Sequence, residues 1–271
     1  MDRARELPRR LILSAALGAA GMAVTAGCFG GPETEEPPDE SPTPSPDESM
    51  LSDDIVEGVT VEDRGFAVHP APNGDNTRRI VGAAAVLRND TEQPMRVHVR
   101  FRFVDEAGRG WHSEERNDWA GIICDGWAYL PPGQAVDLGD MLQFDVDDAV
   151  RVARIVLYVL GQPAPPSPLL RARIEELTPG PPGDDEWDYV TFEVDNPGRR
   201  FEEPNYVLVY RSREGTLIGG WFVNRAHWWD IDAALPENET DHYPPGTSRH
   251  TLPTWLPPGT QPTDVTMYVW P

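Results

Sequence analysis

From residue 55 onward, apolar and polar side chains alternate with a period of two rather than 3.6. Val81, Ala83, Ala85 and Leu87 form one such run, which ends at Asn89-Asp90-Thr91. Val97, Val99, Phe101 and Phe103 form the next, interleaved with Arg96, His98, Arg100 and Arg102, and Gly108 closes it. Alternation broken by Gly, Pro and Asn predicts antiparallel strands, each with one face turned to a core. The four basic side chains should therefore face outward, since a slip of one residue would bury them.

The same order of signals returns further along the chain. Val190, Phe192 and Val194 precede Asn196-Pro197-Gly198, then Tyr206, Leu208 and Tyr210 lead to Gly215. Both intervals, Asn89 to Gly108 and Asn196 to Gly215, are 19 residues. Trp111 and Trp221 follow the glycines, and Leu130-Pro131-Pro132-Gly133 matches Tyr243-Pro244-Pro245-Gly246. A Tyr-Val pair ends each block, at Tyr158-Val159 and Tyr268-Val269. The Pro-rich run Gln162 to Pro168 separates them. The expected fold is all-β, with two tandem antiparallel β-sandwiches at 55–162 and 163–271.

Phe101-Arg102-Phe103-Val104-Asp105-Glu106-Ala107-Gly108 resembles the signature of FxLYD-type domains, immunoglobulin-like sandwiches of bacterial surface lipoproteins. The resemblance covers most of 55–162. In the second block Arg211 and Ser212 stand where Val104 and Asp105 stand in the first, which makes it a diverged relative. The resemblance implies an immunoglobulin-like fold and carries no activity over to this chain.

The first 54 residues have another character. Arg3, Arg5, Arg9 and Arg10 precede an uncharged run from Leu11 to Gly27, which ends Val24-Thr25-Ala26-Gly27-Cys28. A basic start, an apolar middle and small residues before a processing point make an export signal. The stretch resembles a bacterial lipoprotein signal, which implies cleavage after Gly27 and diacylation of Cys28. A single membrane anchor and a plain cleaved signal are the alternatives, and Arg9-Arg10 is also compatible with twin-arginine export. Residues 28–54 then carry no basic side chain and many Pro, Glu, Asp and Ser. Such a segment buries too little apolar area to offset chain entropy and should be a disordered stalk, reaching about 80 Å at about 3.1 Å per residue.

Charge narrows the partners. The chain of 271 residues carries 23 basic and 45 acidic side chains, a net charge of −22. Nucleic acid and bare anionic lipid share that sign and are excluded as electrostatic partners. Arginine fills every basic position, a usage that suggests GC-rich coding such as an actinobacterium's. With Cys28 lipidated, Cys124 has no cysteine left to pair with.

Of the nine Trp, Trp111, Trp119 and Trp127 fall between the central strand and the Pro-Pro-Gly turn of the first block. Trp221, Trp228 and Trp229 fall in the matching segment of the second. Asp118 and Asp230 sit among them, and flat rings beside carboxylates suit sugars. Trp119, Trp127, Trp228 and Trp229 with Asp118 and Asp230 are thus the candidate ligand-binding residues. The competing reading makes Trp111 and Trp221 core and the rest loop pins or interdomain packing. His227, Asp230 and Asp232, or Asp241 with His242, have ligand spacing but no closed donor set, and read as a solvated acidic loop, so no metal or other cofactor is expected. The outward basic row should pair with neighbouring acids or dock an anionic wall polymer. No nucleophile elbow, zinc-protease helix or phosphate loop occurs. The expectation is a non-catalytic, lipid-anchored module on the outer face of the cytoplasmic membrane, binding an envelope protein or serving a structural role. Cell-wall glycan binding is the alternative, and an uncharacterised hydrolase the third reading.

Overall fold

A computed structural model describes residues 52–71, 76–112, 127–180, 188–202, 204–223 and 242–271. Cys28, Trp119, Trp228, Trp229, Asp118, Asp230, His227, Asp232 and Asp241 lie outside those residues, and the described residues all fall within one compact unit.

Strands dominate. The first eight are β1 (Asp54–Ile55), β2 (Val59–Pro70), β3 (Arg78–Asn89), β4 (Met95–Asp105), β5 (Gly110–His112), β6 (Ala128–Leu130), β7 (Ala135–Asp145) and β8 (Val152–Pro163). Nine follow: β9 (Leu170–Arg171), β10 (Arg173–Thr178), β11 (Asp188–Asn196), β12 (Phe201–Glu202), β13 (Asn205–Arg211), β14 (Leu217–Val223), β15 (His242–Tyr243), β16 (Gly246–Thr254) and β17 (Val265–Trp270). One sheet has the order β1-β8-β4-β5, with β6 also on β4, and a second has β2-β3-β7. Later in the chain β9-β17-β13-β14 and β10-β11-β16 repeat those two orders. The fold is all-β and its ladders are antiparallel, except that β1 runs parallel to β8. β1 begins at Asp54, inside the expected stalk, because the Asp53 carboxylate accepts the Leu157 amide at 3.1 Å and holds the chain to the sheet edge.

The alternation behaves as the period-two pattern requires. Val81, Ala83, Ala85, Leu87, Val97, Val99, Phe101 and Phe103 are buried in one core, and Val190, Phe192, Val194, Tyr206, Leu208 and Tyr210 in the other. Two asparagines tie strand ends to the Pro-Pro-Gly turns. Asn89 Nδ2 donates to Gln93 O at 2.8 Å and Leu130 O at 3.0 Å. Asn196 Nδ2 donates to Arg199 O at 2.9 Å and Tyr243 O at 3.1 Å. Both are fully buried, and their hydrogen bonds remove the cost of burying two amides.

The cores interlock. The alternate residues of β3, Ile80, Gly82, Ala84 and Val86, are also covered, because the β14-β13-β17-β9 sheet lies over the β2-β3-β7 sheet. Gly82 and Gly139 make this possible. A Cβ on Gly82 would stand 2.6 Å from Ile218 O and 2.8 Å from Gly219 Cα, and one on Gly139 would stand 2.7 Å from Gly220 Cα. Val207, Val209, Phe222 and Trp270 join the first core, while Ile80 and Met141 join the second. Arg211, placed where the first block has Val104, reaches across to Asp137 at 3.3 Å and Asp63 at 3.6 Å.

This contact should be intolerant of any side chain. Gly82→Val is expected to cost more than about 3 kcal/mol and to lower the melting temperature by about 10 °C. Gly198→Ala, whose Cβ would meet only Asn196 Oδ1 at 3.5 Å, should be near neutral. Thermal unfolding followed by circular dichroism checks the pair, and equal effects would refute the close-packing account.

Candidate recognition face and perturbed groups

The outer face of the β1-β8-β4-β5 sheet is set by the half of β4 that the core does not use. Arg96, His98, Arg100 and Arg102 stand opposite Gln162, Leu160, Tyr158 and Val156 of β8. Leu160 is 54% exposed, a large apolar side chain in the middle of a basic row. Trp127, just before β6, brings its ring centroid to 5.9 Å from that of His98, inclined at 50°. Its carbonyl accepts the Trp270 indole N–H at 3.3 Å. Trp127 is half-buried and contacts the sheet through both His98 and Trp270. It is the one proposed ligand-binding residue that falls within the described structure.

One expectation needs correction. Arg96 is exposed and His98 and Arg100 are half-buried, but Arg102 is only 8% accessible. The cause lies on the neighbouring strand, where Gly110 has no side chain, and a Cβ there would collide with the Arg102 guanidinium. The arginine stem lies down over β5 instead of projecting to water, so burial here reflects a neighbour's missing side chain rather than a register slip. Trp221, the suggested core residue, is buried in the second core. Trp111 lies in β5 opposite Phe103. His242 lies in β15 opposite Glu202.

The far sheet carries a different kind of charge pattern. On β10, β11 and β16, Arg173 pairs with Glu193 at 2.8 Å and Glu175 at 3.2 Å, and Arg249 with Glu175 at 2.7 Å. Opposite charges are interleaved within that sheet, whereas β4 sets like charges in a row.

Asp140 and His69 depart from ordinary behaviour, as does the Tyr210 hydroxyl, which burial raises, and neither of the first two stood out from the sequence. Asp140 interrupts the alternation of Val136, Leu138, Leu142 and Phe144 on β7 and is 7% exposed, accepting the Met141 amide at 2.8 Å. Burial raises its carboxyl to about 7, partly offset by that hydrogen bond. An acid breaking an apolar alternation was the available signal. His69 on β2 lies 2.9 Å through Nε2 from Ile218 O of β14 and edge-on to Trp255 at 5.3 Å. Burial holds its pKa below the usual imidazole value, and the hydrogen bond opposes this. Both groups sit in packed layers, so their shifts reflect structural burial. Among the described residues no cluster of three or more His, Cys, Asp or Glu is placed to hold a metal ion, and no helix is long and apolar enough to cross a membrane.

No family model and no curated protein matches the chain. Among solved structures, a red sea bream transglutaminase aligns with 74% of this chain and 28% of its own length, at 11% identity and a TM-score of 0.18. The chain thus spans little more than a quarter of that structure, and so poor a superposition supports neither a fold nor an activity.

The Asp140 shift has a definite sign. Folded Asp140 holds its proton up to about pH 7, while the unfolded chain releases it near 3.8. Its stabilising contribution is therefore complete below about pH 4 and disappears as pH rises through 7, by at most about 4 kcal/mol. Urea unfolding at pH 5 and pH 8 should show wild type losing ground to Asp140→Asn at the higher pH. A gap between the two proteins that does not change with pH would refute the assignment.

Proposed function

We propose that this protein is a non-catalytic surface lipoprotein, held through Cys28 on the outer face of the cytoplasmic membrane. In this reading it presents the basic outer sheet to an envelope protein. The two halves are diverged copies of one sandwich resembling FxLYD-type immunoglobulin-like domains, and the acidic segment 28–54 is their tether.

The observation carrying the reading is the β4–β8 face itself. Exposed Leu160 is framed by Arg96, His98, Arg100 and Tyr158, with Trp127 pinned at its margin. An apolar centre with arginine and aromatic residues around it is the composition of protein-binding hot spots. Glycan stacking asks for a free, flat ring, and Trp127 is inclined against His98 and tied to Trp270. For the anchor, the support is the order of basic, apolar and small residues ending at Cys28. Two acyl chains would give stable attachment where one would not.

Two experiments test this. Cys28→Ser should release the protein from the membrane fraction, and mass spectrometry of the wild type should find a lipid-modified Cys28 at the N-terminus. An intact N-terminus would overturn the anchor. For the face, a photo-crosslinker at position 160 in cells should give one discrete protein adduct. Arg96→Glu, an exposed change expected within about 0.5 kcal/mol of wild-type stability, should weaken that adduct at least tenfold. Millimolar wall polysaccharide binding the purified protein with a tryptophan fluorescence change, and no protein adduct, would favour the glycan reading instead.

A further inference from the structure

Residues directly opposite each other in a ladder share a face of the sheet. The register of β4 on β8 therefore brings Arg96, Arg100, Arg102 and Arg154 to one side, the outer one. The acid that the pairing brings there, among the described residues of these strands, is Asp54, opposite Tyr158. This excess of cations stands on a chain whose net charge is −22. In the β10-β11-β16 sheet each arginine instead pairs with a glutamate of its own sheet. A face of one sign calls for a partner surface of the other.

Spacing narrows the partner's chemistry. Arg96 and Arg100 are four residues apart on one strand, about 13 Å at about 3.3 Å per residue. Midway between them stands His98, and directly opposite His98 is Leu160, 54% exposed. Arg96 is exposed and Arg100 half-buried. An extended peptide laid along β4 has the same rise and the same two-residue period. Carboxylates at its positions i and i+4 would meet the two arginines, and its residue i+2, on the same side, would meet Leu160. A polymer of repeating phosphates would satisfy the arginines but set charge against Leu160, which gains nothing from it. Only a peptide supplies both kinds of contact. A short segment is also favoured over a broad acidic surface. The arginines act within a screening length of about 8 Å, while the acidic remainder of the chain repels any large body of its own sign.

Resting on the functional reading above, we infer that the envelope partner docks an extended segment of the form acid-x-apolar-x-acid. Its two carboxylates lie on Arg96 and Arg100, and its apolar residue lies on Leu160.

Random peptides displayed on phage and selected on the purified full chain should converge on two acids four apart with an apolar residue midway. A synthetic peptide with Glu at i and i+4 and Leu at i+2, in a Gly/Ser background, should bind at least tenfold tighter than one of equal composition with the two Glu adjacent. Fluorescence polarisation measures both. Arg96→Glu and, separately, Leu160→Ser should erase that difference, with unchanged thermal melting showing the fold intact. Equal affinity for the two peptides would overturn the motif, as would a soluble polyphosphate chain that competes as well as the spaced peptide. A crosslinked adduct at position 160 whose partner peptide lacks the paired acids would overturn it too, while leaving the functional reading in place. Neither peptide binding nor an adduct would remove both.

Discussion

Backbone against backbone, Gly82 and Gly139 facing Gly219 and Gly220, is the contact on which the rest of the structure depends. Sheets packed through ordinary side chains stand about 10 Å apart. Here, a single Cβ at either side would fall within 3 Å of the opposite main chain. That approach brings Phe222 into the first core, where it lines, with Val97, Phe101 and Leu138, a void of about 10 Å³, no larger than a single water needs. Glycine in a strand interior costs conformational entropy and side-chain packing. The two-sided burial of β3 and β13 offsets it, since nearly every residue of both strands leaves water. Gly219, at φ +149°, takes a backbone conformation that other residues rarely adopt, so one of the four is fixed by geometry as well as by space.

Differences between the halves gather where they touch. The turn after the central strand is the same in both: Gly108 N donates to Asp105 O at 3.1 Å, and Gly215 N to Ser212 O at 2.9 Å, both glycines at positive φ. One position earlier the halves diverge. Val104 is fully buried within the first half, whereas Arg211 leaves its own half to meet Asp137 and Asp63. The departure of the second half from the first half's sequence at this position therefore serves its contact with the neighbouring sheet. Tyr268 belongs to the same contact, its hydroxyl raised by burial and by Asp137 and lowered by Arg171 and Arg211.

Much of the fold was legible because period-two alternation reports one buried face directly. Every core position read from β3, β4, β11 and β13 lies inside. What alternation cannot report is a second buried face, because a strand apolar on both sides loses its period-two contrast. Ile80-Val81-Gly82-Ala83-Ala84-Ala85-Val86-Leu87 contains both signals superimposed, and only its apolar half was read as core. Arg102 was misjudged for a related reason: its burial is set by an absent side chain on a strand that pairs with it only in three dimensions. Of the candidate site only Trp127 can be placed, and its environment is made by His98 and Trp270, distant in sequence and silent in any local pattern.

The two perturbed groups then act against each other across one pH interval. His69, with a lowered pKa, stays neutral in the folded state where the unfolded chain would begin to charge. Its contribution is present above about 6.5 and is lost as pH falls below that. Asp140 does the reverse, favouring the folded state increasingly as pH falls from 7 toward 4. Asp140 is fully enclosed and its carboxyl is raised to about 7, while His69 keeps a hydrogen bond that a protonated ring also makes through Nε2–H. The carboxyl should therefore dominate between pH 4 and 7. Surface charge pulls in the same direction, since 45 acidic side chains against 23 basic ones repel less as carboxylates protonate. Exposed ion pairs such as Arg173 with Glu193 contribute too little to reverse the trend. Among the described residues Asp140 has no hydrogen-bond partner beyond its own strand, and replacing it by leucine, the residue the pairing register places at the matching position of the second half as Leu252, should remove that bias.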